Sequence, residues 1–156
     1  AVDRLIEDLK TAIPAILESD EYRNQRKIIG DDVKQRQENA EHYNKLFVEK
    51  DLLGKVQLPF IAHPQNLQNA HIFNQYVIKA ERRDELQSYL AENEIASEVY
   101  YPRPFHLQEC FLHLGGKIGD FPVAEAVTTE VLALPIYPGM TKEMRENVVE
   151  QIANFY

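Results

Sequence analysis

The sequence predicts an α+β fold: a small β-sheet packed with helices and preceded by an N-terminal helical extension. Three observations point there. Val2, Leu5, Ile6, Leu9, Ala12, Ile13, Ile16 and Leu17 recur at helical intervals and give one apolar stripe. From Gly54 the texture changes to short apolar runs separated by turn residues, as in the strands of a small sheet. A last helical pattern, opened by Thr141 and carrying Met144, Val148, Ile152 and Phe155 on one face, closes the chain. At 156 residues there is room for one domain plus an extension. The boundary is placed near Leu53, with residues 1–53 as the extension and possible oligomerisation surface, and residues 54–156 as the α+β domain.

Taken in order, the first helix meets Pro14, where it either kinks or gives way to a second helix with Pro14 in its first turn. After the polar run Glu18 to Lys27, Gly30-Asp31-Asp32 reads as a helix stop followed by an N-cap, with Gln35 three residues after Asp32. The next helix runs to Phe47 with Ala40, Tyr43 and Phe47 on one side and is otherwise solvated. Val56 to Ile61 is a weak strand, and His63 to Asn69 is a loop. His71 to Ile78 reads as a central strand with Ile72, Asn74, Tyr76 and Ile78 on one side. Arg82 to Asn93 is a helix, and Ile95 to Tyr101 returns to extended backbone. Leu107 to Leu114 forms a short helix stopped by Gly115-Gly116, and Val123 to Thr129 another, entered through Asp120-Phe121-Pro122. Val131 to Leu134 is a strand ended by Pro135.

A hydrophobic fraction of 44% and a charged fraction of 27% are those of a soluble globular protein, and no apolar run reaches membrane-helix length. The start lacks the basic-then-apolar layout of a signal peptide, so a cytoplasmic location is expected. A single cysteine, Cys110, excludes an internal disulfide and reads as a buried small apolar residue. The formal charge of −8 argues against general nucleic-acid affinity, so any anion has to be met by a local pocket.

The densest chemistry lies in Val99-Tyr100-Tyr101-Pro102-Arg103-Pro104-Phe105-His106-Leu107-Gln108. Its prolines stiffen the backbone. Two phenols, a guanidinium, an imidazole and an amide supply a donor-rich set suited to phosphate or sugar hydroxyls. Tyr100, Tyr101, Arg103 and His106 are expected to converge on an anion at a strand end. The other signals are structural. His42, His63, His71, His106 and His113 show no tight metal-ligand pair. Gly115 to Gly119 lacks phosphate-loop spacing. Asp120 reads as a helix cap, with Glu125 in the first turn where the dipole favours a carboxylate. Lys55, Lys79 and Lys117 carry no sign of activation toward a Schiff base.

The order of His71 to Ile78, Arg83-Asp84-Glu85-Leu86, Tyr100 to Gln108, Gly119-Asp120-Phe121-Pro122-Val123-Ala124-Glu125 and Leu132-Ala133-Leu134-Pro135-Ile136 resembles the C-terminal domain of the DegT-like sugar aminotransferases. These are fold type I pyridoxal phosphate enzymes acting on nucleotide-linked keto-sugars. Gln35 to Phe47 is similar to the family's linking helix. The resemblance implies that the cofactor and its aldimine lysine belong to a large N-terminal domain, that the amino donor is glutamate, and that the small domain closes the substrate site. It places His106 near the sugar nucleotide, often across a homodimer. The expected substrate-binding set is Tyr100, Tyr101, Arg103, His106, Gln108 and Asn74, with no catalytic, cofactor or metal residue in this chain. Without the large domain the chain alone is expected to be inactive, to bind a nucleotide sugar, and to self-associate through the N-terminal helix. The alternatives are one part of a pyridoxal phosphate enzyme completed by another chain, and a protein-interaction scaffold on a recycled fold.

Overall fold

The computed structural model describes residues 2–62 and 70–156; the expected loop over residues 63–69 lies outside them, as do the side chains of residues 2, 3, 5 and 11. Two helices come first, α1 (Val2–Glu18) and α2 (Asp20–Glu49). They are followed by β1 (Val56–Gln57), β2 (Tyr76–Ala80), α3 (Arg83–Glu92), α4 (Pro122–Glu130), β3 (Val131–Leu134) and α5 (Lys142–Phe155). Two short 3-10 turns, Phe105–Leu107 and Glu109–Leu114, lie between α3 and α4. The expected α+β class is the one observed.

The sheet is antiparallel in the order β1-β2-β3, with Val56 opposite Ala80 on one side of β2 and Tyr76 opposite Leu134 on the other. β2 is central, as expected, but it starts at Tyr76 and not at His71. Phe73 sits at a φ of 47°, outside strand geometry, and its N–H donates to His71 Nδ1 at 3.0 Å. The carbonyls of this stretch turn to α2: Gln37 Nε2 donates to His71 at 3.0 Å and an Arg36 guanidinium nitrogen to Asn74 at 3.3 Å. β1 stops after two residues, before Pro59, which has no N–H to offer a ladder. Among the described residues the extended run after Ile95 reaches the sheet through a single bridge, Glu98 with Ala133, whose two hydrogen bonds are 3.0 and 2.9 Å long.

The second half of α2 is the axis of the core. Ala40, Tyr43, Leu46 and Phe47 are buried in one cluster with Tyr76 and Ile78 of β2, Leu86 and Leu90 of α3, Leu132 of β3 and Val148, Val149 and Ile152 of α5. The Tyr43 and Tyr76 rings lie 4.9 Å apart. Each hydroxyl is satisfied, Tyr43 donating to the Pro135 carbonyl at 2.9 Å and Tyr76 to Asn44 Oδ1 at 2.6 Å. Burial pushes both phenols well above their ordinary pKa.

The polar residues of this helix, read from sequence as solvated, are ties. Arg36 donates to the Ile136 carbonyl at 2.8 Å, Asn39 Nδ2 to Tyr137 at 2.9 Å, and Gln35 Oε1 accepts from Gly139 N–H at 2.9 Å. They pair backbone groups of the loop that follows β3. Arg145 of α5 closes the same seam, donating from Nε to His42 Nδ1 at 2.8 Å and from a second nitrogen to Asn39 Oδ1. Burial first, then the Arg145 charge, hold the His42 imidazole below its ordinary pKa.

α2 is also longer than the sequence suggests. It begins at Ser19, whose hydroxyl accepts from Tyr22 N–H at 3.2 Å, and runs through Gly30 without a stop. A glycine inside a helix costs only about 1 kcal/mol relative to alanine, less than the anchoring of the following turns returns. α1 likewise runs through Pro14, which removes one helical hydrogen bond without ending the helix. Among its described side chains all are exposed, including Ile6, Leu9, Ile13, Ile16 and Leu17 of the apolar stripe.

Three further expectations change. Cys110 is exposed, because it sits on a 3-10 turn that buries no residue. Met144 is exposed and meets the Tyr137 hydroxyl at 3.2 Å, while Val149 takes its place on the buried face of α5. Asp120 does not cap α4; its Oδ2 accepts from Lys117 N–H at 2.8 Å and closes the preceding turn. Thr141 does cap α5, accepting from Met144 N–H at 3.3 Å. No helix among the described residues is long and apolar enough to cross a membrane.

Candidate functional site

The Tyr100 to Gln108 run leaves the outer edge of β3 at the Glu98 bridge and crosses the surface as a stiff, proline-bounded strap. Gln108 Nε2 donates to the Arg103 carbonyl at 3.3 Å, which folds the strap back on itself. Behind it Gly116 presses on His106: a Cβ at this position would stand 2.8 Å from the His106 carbonyl oxygen and 3.0 Å from its Cβ. Only glycine allows that approach.

His106 is the fixed point of the region. Its side chain is 12% exposed, its Nε2 lies 3.0 Å from Glu125 Oε1, and its ring centroid is 4.8 Å from that of Phe121. Glu125 is itself held. Gly119 N–H donates to its two oxygens at 2.9 and 3.0 Å, and Phe121 N–H donates to Oε1 at 3.3 Å. Gly119 reaches this position at a φ of 95°, a conformation suited to glycine. The Gly119 N–H first, then the Phe121 N–H and the imidazole, hold the Glu125 carboxyl below its ordinary pKa, so it is a carboxylate. A carboxylate only accepts hydrogen bonds, so Nε2 carries a proton. Among the described residues Nδ1 has no hydrogen-bond partner.

Beside the ring lies a groove of about 570 Å³ lined by Phe105, His106, Phe111, Leu114, Gly115, Gly116, Asp120 and Phe121. Its wall is aromatic. Phe105 lies 6.1 Å from Phe111 in an edge-on contact and 5.8 Å from Tyr101, which extends the apolar rim outward. Such a wall suits the flat face of a base or the apolar face of a sugar, with His106 as the polar group that orients it.

Of the six residues expected from sequence, the structure brings His106 to the groove and Tyr101 to its rim. Gln108 braces the strap. Tyr100 and Arg103 are exposed beside it, the Arg103 guanidinium without a partner among the described residues. Asn74 lies elsewhere, on the loop tied to α2, lining a separate cavity with Pro59, His71 and Val77. The sequence reading missed Phe105, Phe111, Leu114 and Phe121 as wall residues and treated Glu125 as a helix-terminus charge. The signal for Glu125 was the turn before it: a glycine, an aspartate and a proline ahead of a first-turn carboxylate fold the preceding N–H groups back onto it.

A second cavity, of about 610 Å³, lies where β1, β2 and the start of α3 meet. Its cations are already matched. Lys55 pairs with Glu81 at 3.0 Å, Lys79 with Glu130 at 2.9 Å, and Arg83 with Asp84 at 2.6 Å. Arg83 also donates to the Thr128 and Val131 carbonyls at 3.0 and 2.7 Å, closing the end of α4. Neither of these two cavities joins an unpaired lysine to a basic phosphate cradle. No group of three or more metal-binding side chains occurs among the described residues.

The family model of the DegT/DnrJ/EryC1/StrS aminotransferases matches residues 23–153. The chain is 42% identical over 123 residues to a pleiotropic regulatory protein of Geobacillus stearothermophilus, covering 78% of this chain and 32% of that protein. It is 32% identical over 128 residues to the dTDP-3-amino-3,6-dideoxy-alpha-D-galactopyranose transaminase of Aneurinibacillus thermoaerophilus, covering 81% of this chain and 32% of the relative. Among solved structures it is similar to S. venezuelae DesV in complex with a ketimine intermediate, with a TM-score of 0.69 and 26% identity over 79% of this chain and 31% of that one. The chain spans about a third of the length of the curated relatives it matches. With the match covering both the second half of α2 and the whole His106 region, the chain belongs to the DegT/DnrJ/EryC1/StrS aminotransferase family.

Proposed function

We propose that this chain is the small C-terminal domain of a nucleotide-sugar aminotransferase, and that it binds the nucleotide sugar in the groove beside His106 without carrying out amino transfer by itself. The observation that carries this reading is the fixed imidazole: a histidine locked by Glu125 and Phe121, with no partner for Nδ1 among the described residues, beside an aromatic groove. Relatives named as transaminases of dTDP- and UDP-linked sugars support the ligand class. Pyridoxal phosphate, held by residues outside this chain, supplies the electron sink for amino transfer. The chain's own part is to bind and orient: Phe105, Phe111 and Phe121 exclude water from one face of the ligand, and His106 sets its rotation. Calorimetric titration with dTDP-glucose and UDP-glucose tests it. Saturable binding is expected, at least about tenfold weaker in His106→Ala, equivalent to about 1.4 kcal/mol. No heat from the folded chain, or equal affinity in the variant, would overturn the reading.

The exposed stripe of α1 favours self-association as a second property. Ile6, Leu9, Ile13 and Ile16 follow the 3-4-3 spacing of a helix-pairing seam, and a helix of this length whose described side chains are all exposed is marginal alone. Light scattering should show a mass above that of one chain, falling to one chain in Ile13→Asp. A single-chain mass for the unaltered protein rejects it.

A further inference from the structure

We infer that Glu125 is the positioning residue of this site: it fixes the proton of neutral His106 on Nε2 and thereby presents Nδ1 to the groove as a hydrogen-bond acceptor for a sugar hydroxyl. The inference rests on the groove being the nucleotide-sugar site and says which part of that ligand lies there.

Four contacts set the geometry. The carboxylate is pinned from behind by the Gly119 and Phe121 N–H groups, so it does not rotate to follow the ring. The imidazole is held at 3.0 Å on one side, and the Phe121 ring blocks its face. In the neutral ring, Nε2 as the donor leaves Nδ1 with only a lone pair to offer. The other polar side chain lining the groove, Asp120, is also an acceptor, with Oδ2 taken by Lys117 N–H. A groove whose polar side chains accept, set in an aromatic wall, repels a diphosphate and welcomes hydroxyl donors on an apolar ring face. The pyranose therefore lies against His106 and the diphosphate outside, toward the exposed strap.

A role limited to capping α4 predicts something different, and Glu125→Gln with Glu125→Ala separates the two. Oε1 accepts from the Gly119 and Phe121 N–H groups and also faces His106 Nε2, so a glutamine carbonyl there keeps both the cap and the Nε2 proton, whereas alanine removes the acceptor. Imidazole ¹⁵N shifts of the unliganded full chain, at a pH where the ring is neutral, read this directly. The expected result is a proton on Nε2 in the unaltered protein and in Glu125→Gln, and a mixture of the two tautomers in Glu125→Ala. In titrations with dTDP-glucose and with dTDP alone, Glu125→Ala should weaken the sugar nucleotide about tenfold, Glu125→Gln should restore it, and dTDP should be unchanged in both.

A proton on Nδ1 in the unaltered chain, or an undiminished Nε2 tautomer in Glu125→Ala, overturns the inference, and the first of these needs no variant to fold. The two readings fail separately. Absent nucleotide-sugar binding with the expected tautomers removes the function and leaves Glu125 its role, whereas intact binding with the opposite tautomer does the reverse.

Discussion

α1 and the second half of α2 are both amphipathic helices, and their fates are opposite. α1 has the cleaner apolar stripe, yet Ile13 on it is 49% exposed; the second half of α2 has fewer apolar residues in a polar sequence, yet Tyr43 and Phe47 are fully buried. What separates them is the polar face. Gln35, Arg36, Gln37 and Asn39 find backbone partners on the loops around β2 and β3. On α1 the charges pair along the helix, as Lys10 does with Glu7 at 3.2 Å. Apolar periodicity says that a helix has a face to bury. Polar side chains that match the backbone of a neighbouring loop decide which helix is buried in this fold.

The difference is broken most severely at Phe47. Phe47→Ala should cost about 3–5 kcal/mol of unfolding free energy through the cavity it leaves. Ile13→Ala should stay within about 0.5 kcal/mol for a single chain. Urea unfolding of the two variants checks the pair, and equal losses would put α1 in the core. Removing a tie without removing apolar area is the sharper test. Arg36→Met should cost about 1–3 kcal/mol by leaving the Ile136 carbonyl unpaired. No loss there would mean that apolar burial alone places α2.

The caps extend the same contrast. Thr141→Ala, on a helix with a buried face, should lower global stability by about 1 kcal/mol. Ser19→Ala, at the junction with exposed α1, should reduce helical circular dichroism while leaving the cooperative transition in place.

How much of this was legible follows from the same physics. The α3 helix, the α4 entry through Pro122, β3 and the Thr141 cap were readable because each is set by local residues. Gly30 misled because its local cost is smaller than the tertiary anchoring that continues the helix beyond it. The start of β2 misled because His71 to Gln75 has strand composition while its carbonyls go to α2. At the site, His106 was readable from its company of tyrosines and prolines. Its partner Glu125 lies 19 positions away and carries a respectable local explanation as a first-turn carboxylate, so nothing local pointed to the imidazole. The aromatic wall is scattered over two 3-10 turns and the start of α4, where no periodicity gathers it.

The smallest expected effect comes from pH at the α2–α5 seam. His42 has its pKa lowered from 6.5 in the fold, so the unfolded chain takes up this proton first. Its contribution to stability is full above about pH 6.5 and is lost as pH falls through that value toward the folded pKa. Unfolding curves at pH 7.5 and 5.5, about one unit to either side, should show the decline, and His42→Gln should flatten it. Glu125 shows the same sign in a lower window, its stabilisation present above the ordinary carboxylate range and lost as pH falls through its depressed pKa.

The measurement that bears most directly on the site is the ¹⁵N spectrum of His106 during titration of the full chain with dTDP-glucose. The account predicts a saturable shift of Nδ1 toward the hydrogen-bonded position while Nε2 keeps its proton. Saturable binding that leaves both His106 nitrogens unmoved would contradict it, and would place the ligand away from this groove.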